Sequence, residues 1–554
     1  MPRARTIFLE TFGCQMNQLD SELVRGQLGA LGYSFTPDAS AADVVLFNTC
    51  SVREQAENKV LSRVGRIGQR KRQGERVVLG LIGCLAEREG MPLLSRYPQI
   101  DLLCGPGELD RLPMLIDNAL KTETVDAADR VALAGNRSRR STTLAAVDDN
   151  LELLDLSRAF DPDGGSGRAR RSAYVRITRG CNKFCTYCVV PFTRGAEVHR
   201  TPDAIVQECR RLVDGGVVEI TLLGQTVNHY VYTHGAAIGV NGQEVPQVGP
   251  GGSAFTRSGP HPANGQRVTT FADLLGRIHE EVPSLRRLRF VTCYARDFGD
   301  DILRVMRDCP RICRYLHVPA QSGSDRILRL MNRGYSCGEY LDFIDRARDL
   351  LPDVSIAGDL IVGFPTETEQ DFEQTAHLLR RVRFKNNFIF KYSPRPGTTA
   401  WDRLPDDVPT EVKRQRNNDL LALQSTISTA VHAEQVGRTV EVFVEGVSRK
   451  GVPTAPGGVE LAWERPRGRI QMSGRTAGDL ITVFTLPQGR TPESLEGQIV
   501  PVRVIEAASL VLFGCLEAST RPLAEQMTVV PKGDGLRPRL PSLKCPKPLT
   551  LHLD

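Results

Sequence analysis

Three apolar segments near the start of the chain each end in a cysteine, at Cys14, Cys50 and Cys84. The segments span residues 6–14, 42–50 and 76–84. Continuous apolar strands that alternate with helical stretches predict a parallel sheet covered on both faces. Because the carboxyl ends of parallel strands open on one edge of the sheet, the three thiols, 36 and 34 residues apart, are expected to converge there.

A second group of cysteines is compact in the sequence. Cys181, Cys185 and Cys188 have CxxxCxxC spacing, just after a strand-like segment at 174–178. Three thiolates on one loop can bind three irons of a [4Fe–4S] cluster and leave the fourth iron free to chelate S-adenosylmethionine. A zinc loop is the alternative, but zinc usually takes four ligands and no further Cys or His lies close by. The spacing therefore predicts a [4Fe–4S] cluster with one open iron.

The N-terminal cysteines have two interpretations. Buried core cysteines are common, and three of them would need no ligand. Their repeated position at strand ends, beside polar residues, instead favours a second [4Fe–4S] cluster held by three thiols. Those polar neighbours are Gln15, Asn17, Asn48 and Thr49. The remaining eight of the 14 cysteines show no compact ligand spacing, and we interpret them as incidental.

The pattern along the chain predicts a mixed α/β protein. The N-terminal parallel-sheet α/β domain is followed by a partial (β/α)6 barrel and a small C-terminal β-barrel. The expected boundaries are 1–135 for the first domain, 136–170 for a linker, 171–432 for the barrel, 433–517 for the C-terminal barrel and 518–554 for a disordered basic tail. A Gly/Pro-rich stretch at about 232–268 is interpreted as a long, mobile surface insertion.

Charge and the length of the apolar runs bear on the partners and the location of the protein. The chain has 71 basic and 65 acidic residues, a net charge of +6 that neither requires nor excludes a nucleic-acid partner. Its apolar runs are far shorter than the roughly 20 residues of a membrane helix, and the start of the chain lacks the apolar core of a secretory signal. We therefore expect a cytoplasmic location.

Long motifs resemble the radical-SAM methylthiotransferases over about residues 5–515. They include GCQMNQLDSE at 13–22, NTCSVREQAENKV at 48–60, RGCNKFCTYCVVPFTRG at 179–195, QSGSDRILRLMNRGY at 321–335 and DLIVGFPTET at 359–368. The GCQMN and CNKFCTYC strings resemble the branch that acts on tRNA. The resemblance implies two [4Fe–4S] clusters, two S-adenosylmethionine molecules per turnover and a C-terminal RNA-binding barrel of the TRAM type. It also implies a radical reaction that inserts a methylthio group into N6-isopentenyl-adenosine at position 37 of tRNA.

The resemblance also implies residues that contact S-adenosylmethionine at the carboxyl ends of the barrel strands. They are Tyr187, Gly224, Gln225, Gln321, Ser322 and Gly363. Turn or packing roles are the alternative for each of these residues. Where relatives often have Ser-His-Pro after the third barrel strand, this chain has Thr-Cys-Tyr-Ala-Arg at 292–296, which leaves the wall on the substrate side undefined.

A basic group in the C-terminal barrel is a candidate for phosphate contact with tRNA. It consists of Lys450, Arg465, Arg467, Arg469 and Arg475. A solvated loop is the alternative. Further basic candidates lie at 70–72 and 168–171.

The expected partners are the tRNA anticodon stem-loop, a reducing protein and a sulfur source, with the enzyme as a monomer. Two other functions stay open at this point. One keeps the chemistry but modifies a ribosomal-protein aspartate or threonylcarbamoyl-adenosine. The other is a non-catalytic iron–sulfur protein that binds RNA.

Overall fold

The structure is a computed structural model of the chain. It describes residues 5–51, 54–121, 127–134, 152, 154–155, 171–239, 241–249, 255–256, 259–260, 266–448 and 470–517. The predicted tail at 518–554 and most of the predicted linker at 136–170 lie outside these residues. Among the helices in the described part, none is long and apolar enough to cross a bilayer.

The N-terminal region is a six-stranded sheet with every neighbouring pair parallel. In chain order its strands are Thr6–Phe12, Ser34–Phe35, Val44–Thr49, Val78–Gly83, Leu102–Cys104 and Val131–Ala132, and in space the second lies outside the first. Its helices are Gln15–Ala30, Glu54–Arg72, Cys84–Glu89, Met91–Arg96, Leu112–Lys121 and Ala127–Arg130, with 3-10 turns at Ala39–Ala41 and Leu109–Arg111. Every residue of the third and fourth strands is buried, as expected for strands with helices on both faces.

The central region carries the six barrel strands that the sequence predicts. They are Ser172–Arg176, Glu219–Leu223, Arg287–Phe290, Tyr315–His317, Ser355–Val362 and Asn386–Lys391. The first three form one parallel sheet and the last three another, and a parallel bridge between Leu288 and Ile312 lies where the two meet. The partial barrel is therefore confirmed, with its strand order following the chain.

Helices cover the outside of the partial barrel. They span Val190–Thr193, Pro202–Asp214, Phe271–Glu281, Asp300–Asp308, Asp325–Leu330, Cys337–Leu350, Glu369–Val382, Thr399–Arg403 and Thr410–Ala433, with 3-10 turns at Val227–His229 and Ala295–Asp297. Local sequence sets several of their first residues. Thr270 and Asp273, for example, form a reciprocal capping box that satisfies two backbone amides at the start of Phe271–Glu281.

The segment at about 232–268, which the sequence predicts to be a mobile surface insertion, contains paired strands in its described part. Val231–Thr233 pairs with Val268–Thr270, and Gln247–Val248 pairs with Val198–His199, which also pairs with Thr178–Arg179. Tyr232 and Ala237 are buried. A short hairpin joins Phe255–Thr256 to Gly259–Pro260. Buried apolar side chains and strand pairing give this segment its fold. The high glycine and proline content hides this pattern in the sequence.

The C-terminal region is a closed five-stranded barrel, which confirms the predicted small β-barrel. Its strands are Thr439–Val447, Gln471–Thr476, Ile481–Thr485, Ile499–Ala507 and Val511–Leu516, with a 3-10 turn at Pro492–Ser494. Closure leaves the barrel without free strand edges. Val442, Met472, Phe484 and Val502 fill its interior.

Two residues within the predicted linker form ion pairs with the barrel. Arg176 donates to Asp155 at 2.5 Å, and Arg200 donates to Glu152 at 2.6 Å. Asp155 is fully buried. This part of the segment is therefore packed against the first barrel strand rather than free in solvent.

Candidate active site

The loop of Cys181, Cys185 and Cys188 follows the first barrel strand and is anchored from the other side of the barrel. Thr186 donates through its backbone N–H to the carbonyl of Met331 at 3.1 Å and through its hydroxyl to Leu330 at 2.8 Å. Asn332 donates to the carbonyl of Phe184 at 3.0 Å. These contacts fix the backbone that carries the three thiols.

The thiols of this loop lie in a polar but largely buried setting. A guanidinium nitrogen of Arg333 lies 3.4 Å from the sulfur of Cys185, and the hydroxyl of Thr226 lies 3.9 Å from that of Cys181. Burial and the neighbouring Cys185 raise the pKa of Cys188 to about 12, and burial also raises the pKa of Cys181. Without a metal these two thiols are neutral, and metal binding would displace their protons.

The N-terminal cysteines converge at the sheet edge, as the strand pattern predicts. Cys14 and Cys50 are hydrogen-bonded, and this bond, against the effect of burial, lowers the pKa of Cys14 to about 6. Cys84 interacts electrostatically with Cys14. Gly13 permits the close approach, because a Cβ there would lie 2.6 Å from the Cβ of Cys50.

A network of amide side chains supports this edge. The sulfur of Cys14 donates to Asn17 at 3.3 Å, and Asn17 in turn donates to the side chain of Asn48 at 3.0 Å and to the carbonyl of Thr49 at 3.1 Å. Asn17, Asn48 and Thr49 are fully buried. Three of the four polar neighbours named from the sequence, Asn17, Asn48 and Thr49, therefore hold the loops that carry the thiols.

The two groups of cysteines lie near each other. Cys84 contributes electrostatically to the raised pKa of Cys188. Arg194, which lies in the TRG string after the second group, is hydrogen-bonded to Cys84 and opposes the effect of burial on the pKa of that thiol. It also donates to Asp20 at 2.6 Å.

Sequence reasoning missed Arg194. The one available signal was its place in the same motif as the CxxxCxxC cysteines.

The predicted cofactor residues lie at the carboxyl ends of barrel strands or in the cysteine loop. Gly224 and Gln225 follow the second strand, and a Cβ on Gly224 would come within 2.2 Å of the hydroxyl of Thr178. Gln321 has a left-handed backbone, with φ of 72°, and is linked through its backbone to Asp359 and Ile361 of the fifth strand. This geometry positions the three residues without showing a ligand contact.

Gly363, Tyr187 and Ser322 have identifiable packing partners. The backbone N–H of Gly363 donates to Glu367 at 2.6 Å, and Tyr187 packs edge-to-face on the neighbouring Phe364 with ring centroids 6.4 Å apart. The hydroxyl of Ser322 accepts from the backbone of Ser324 at 3.1 Å, within the turn that starts the next helix. Tyr187 and Gly363 are therefore brought close together, and Ser322 has a structural partner in its own turn.

The segment 292–296, which departs from the expected Ser-His-Pro string, forms an aromatic wall beside the cysteine loop. Tyr294 is buried, and the guanidinium carbon of Arg333 and the ammonium of Lys183 lie 4.6 Å and 4.9 Å from its ring centroid. Lys183 also forms a buried ion pair with Asp297. The departure therefore builds cation–π contacts that hold the loop.

Of the predicted RNA-contacting residues, Arg475 alone falls within the described part of the chain. It donates to Glu445 at 2.9 Å and to Asp479 at 3.0 Å. Lys450, Arg465, Arg467 and Arg469 lie outside the described residues. The phosphate-binding role of the group stays a prediction.

Comparisons with known proteins agree with this arrangement. The model of the radical SAM superfamily matches residues 175–379, and that of the uncharacterized protein family UPF0004 matches residues 6–105. The solved structure of the radical S-adenosylmethionine methyltransferase TsrM from Kitasatospora setae has a TM-score of 0.45 and 13% identity, and the match covers 72% of this chain and 74% of that one. That score is too low to support an argument. The match over residues 175–379 defines a radical SAM domain, and the radical SAM superfamily implies S-adenosylmethionine and a [4Fe–4S] cluster.

Curated relatives identify the family to which the chain belongs. The tRNA-2-methylthio-N(6)-dimethylallyladenosine synthase of Rhodopirellula baltica is 38% identical over 92% of this chain and 95% of its own length. Proteins of the same name from Moorella thermoacetica and Porphyromonas gingivalis are 37% and 36% identical, over 93% and 92% of this chain and 99% and 94% of their own lengths. The chain belongs to the family of tRNA-2-methylthio-N(6)-dimethylallyladenosine synthases.

Proposed function

We propose that this protein inserts a 2-methylthio group into N6-isopentenyl-adenosine at position 37 of tRNA. The observation that carries the proposal is the buried ion pair of Arg194 with Asp20, at 2.6 Å, because it joins the loop after Cys188 to the helix after Cys14. Replacing a ring C–H by C–SCH3 requires both a hydrogen-abstracting centre and a sulfur carrier at the same carbon. Two groups of thiols on segments that this ion pair joins meet that requirement.

We assign Cys181, Cys185 and Cys188 to the cluster that S-adenosylmethionine binds, since thiolates are the ligands of such clusters. When bound, this cluster supplies the electron that cleaves S-adenosylmethionine to the 5′-deoxyadenosyl radical. Arg333 places a positive charge beside the Cys185 sulfur, at 3.4 Å. The buried ion pair of Lys183 with Asp297 holds the loop.

We assign Cys14, Cys50 and Cys84 to a second [4Fe–4S] cluster that carries the sulfur to be transferred. Three soft thiol donors are present and converge, so the residues fit the group. The buried Asn17–Asn48 pair orients the loops, and Arg194 offsets negative charge on the sulfurs.

The remaining proposed contacts are those to S-adenosylmethionine and to tRNA. Tyr187, Gly224, Gln225, Gln321, Ser322 and Gly363 are proposed to line the S-adenosylmethionine site. Lys450, Arg465, Arg467, Arg469 and Arg475 are proposed to meet tRNA phosphates. The target base lies in a loop and can leave its stack at a cost of a few kcal/mol.

The proposed domains are 1–135 for sulfur insertion, 171–432 for radical chemistry and 433–517 for RNA binding, with a linker at 136–170 and a tail at 518–554. A reducing protein and a sulfur source complete the reaction. We expect a monomer located with its tRNA substrate in the cytoplasm.

Anaerobic reconstitution of the full chain tests the proposal. The wild type should hold about eight irons, form 5′-deoxyadenosine and convert isopentenylated tRNA to its methylthio form. Cys185→Ala should abolish formation of 5′-deoxyadenosine. Cys50→Ala should spare that reaction, lower the iron content by about half and abolish methylthiolation.

Cys515→Ala is the matched control, because Cys515 is exposed on the C-terminal barrel. This variant should keep the iron content, the formation of 5′-deoxyadenosine and the methylthiolation of the wild type. Methylthiolation by the Cys50→Ala variant would refute the role of the second cluster. Mass spectrometry of tRNA nucleosides from cells that lack the gene tests the substrate, because the isopentenyl precursor should accumulate. Loss of a threonylcarbamoyl-derived nucleoside instead would show that the substrate is wrong.

A further inference from the structure

A carboxylate and two imidazoles meet beside the loop that carries Cys181, where the backbone N–H of Glu197 donates to Asn182 at 3.0 Å. Glu197, His199 and His229 each offer one ligand atom, and these atoms all lie within 4.8 Å of one another. All three side chains are buried, with at most 1% of each exposed. Neither the proposed radical chemistry nor the contacts to tRNA use them.

Their geometry centres on one carboxylate oxygen. The Oε1 atom of Glu197 lies 3.1 Å from Nε2 of His199 and 2.8 Å from Nδ1 of His229. Around a tetrahedral zinc with bonds of about 2.0–2.1 Å, ligand atoms are roughly 3.3 Å apart. An outward shift of a few tenths of an ångström would therefore make room for the ion.

The surroundings fix the orientation of the first ring. Nδ1 of His199 faces the backbone of Val231, 2.9 Å from its carbonyl oxygen. The backbone N–H of Val231 also donates to Nδ1, at 3.1 Å. These backbone contacts orient the ring with Nε2 toward Glu197, and Nε2 is the atom that would bind the metal. The ring also stacks on Tyr230, with centroids 5.3 Å apart.

The inserted segment closes the site. Gln247 pairs with His199 across antiparallel strands, and the backbone N–H of Gly249 donates to the carbonyl of Glu197 at 2.9 Å. A Cβ on Gly249 would lie 2.6 Å from Nε2 of His199 and 3.3 Å from Cγ of Glu197. Glycine at this position therefore lets the backbone of the inserted segment pack directly against two of the ligands, and it keeps a side chain away from the place where water would complete the coordination.

We propose that Glu197, His199 and His229 bind a zinc ion that ties the inserted segment to the loop carrying Cys181. Two imidazoles and one carboxylate are a donor set that zinc takes in proteins, whereas softer metals favour thiolates. The site joins three parts of the chain: the strand after the cysteine loop, the turn after the second barrel strand and the insertion. Its role is structural, because burial leaves no path for a substrate.

Metal analysis of the reconstituted full-length enzyme, produced in zinc-supplemented cells, tests the proposal. We expect about one zinc per chain in addition to the cluster iron, retained after dialysis against a chelator. X-ray absorption at the zinc edge should show nitrogen and oxygen ligands near 2.0 Å and no sulfur near 2.3 Å. Sulfur ligands would place the zinc in vacant cysteine sites and overturn the proposal, as would less than about a tenth of a zinc per chain.

Variants localise the ion. His199→Gln and His229→Gln should each lower the zinc content at least tenfold and leave the iron content unchanged. His234→Gln is the control, because His234 lies on the same inserted segment but contacts Glu244, at 3.1 Å. Equal zinc contents in all three variants would overturn the assignment. If a variant does not fold, the absorption spectrum of the wild type still decides between the two outcomes.

Discussion

Arg194 donates a 2.6 Å hydrogen bond to Asp20, and this ion pair joins the loop after Cys188 to the helix after Cys14. Both side chains are almost fully buried, with 7% and 4% exposed. The hydrogen bond with Cys50 is the main cause of the lowered pKa of Cys14, and the same guanidinium adds to it. Burial raises the pKa of Cys84, and the guanidinium offsets part of that rise. Arg194 thus links the two regions and places a positive charge near Cys14 and Cys84.

Replacing Arg194 with Gln should destabilise the protein by about 3–5 kcal/mol, because it leaves Asp20 buried without its charge partner. Urea denaturation of the full chain measures the change. Asp20→Asn combined with Arg194→Gln should recover part of the loss, since neither charge then remains. An unchanged free energy of unfolding in the single variant would show that the pair contributes nothing.

Gly224→Ala should weaken S-adenosylmethionine binding at least tenfold. The new Cβ would lie 2.2 Å from the hydroxyl oxygen of Thr178, so the backbone at the end of the second barrel strand must move. Equilibrium dialysis measures the affinity. Gly276→Ala is the control, because nothing lies within 4 Å of its Cβ position in a helix. That variant should bind normally and gain up to about 1 kcal/mol of stability; equal binding by both variants would contradict the argument.

Asp371→Asn should lower the free energy of unfolding by about 2 kcal/mol at pH 7. Burial tends to raise the pKa of Asp371, but hydrogen bonds from Arg326, Ser324 and Thr368 outweigh it and lower the pKa below 3.8. Its carboxylate therefore stabilises the fold above pH 3.8, and this stabilisation is lost as the pH falls through the lowered pKa.

Urea denaturation at several pH values should show the difference between the wild type and Asp371→Asn shrink below about pH 4. Asp308→Asn is the control, since Asp308 also pairs with an arginine but is exposed. A difference that stays constant down to pH 2 would contradict the assigned titration.

Asp479→Asn should loosen the C-terminal barrel. Asp479 accepts from Lys385 at 2.6 Å and from Arg475 at 3.0 Å, and Arg289 lies 3.5 Å away. Loss of the carboxylate removes the partner of the buried Lys385, which costs about 3–5 kcal/mol. Limited proteolysis should then release the barrel at least tenfold faster. Glu434→Gln removes an exposed ion pair with Arg383 and should have no effect. Equal proteolysis rates would show that this contact does not hold the barrel.

Local patterns predicted the strands well because a buried strand can be recognised from the apolar residues that it contains. The structure has the six strands that the pattern of a partial (β/α)6 barrel predicts, among them Glu219–Leu223 and Ser355–Val362. The fold of 231–249 was missed, because its ladders pair residues far apart in sequence, such as His199 with Gln247. The glycine and proline content of such a segment indicates its turns but does not show which strands its residues pair with.

The sequence by itself determined the six cysteines, the order of strands and helices, and the sheet edge where Cys14, Cys50 and Cys84 meet. Strand periodicity is local, and parallel strands always open on one edge. Only the tertiary structure decided that Arg194 reaches Asp20, 174 positions away in the chain, and that Glu197, His199 and His229 surround one point. Such contacts depend on how separate elements pack, and packing is a property of the whole chain that no single segment encodes.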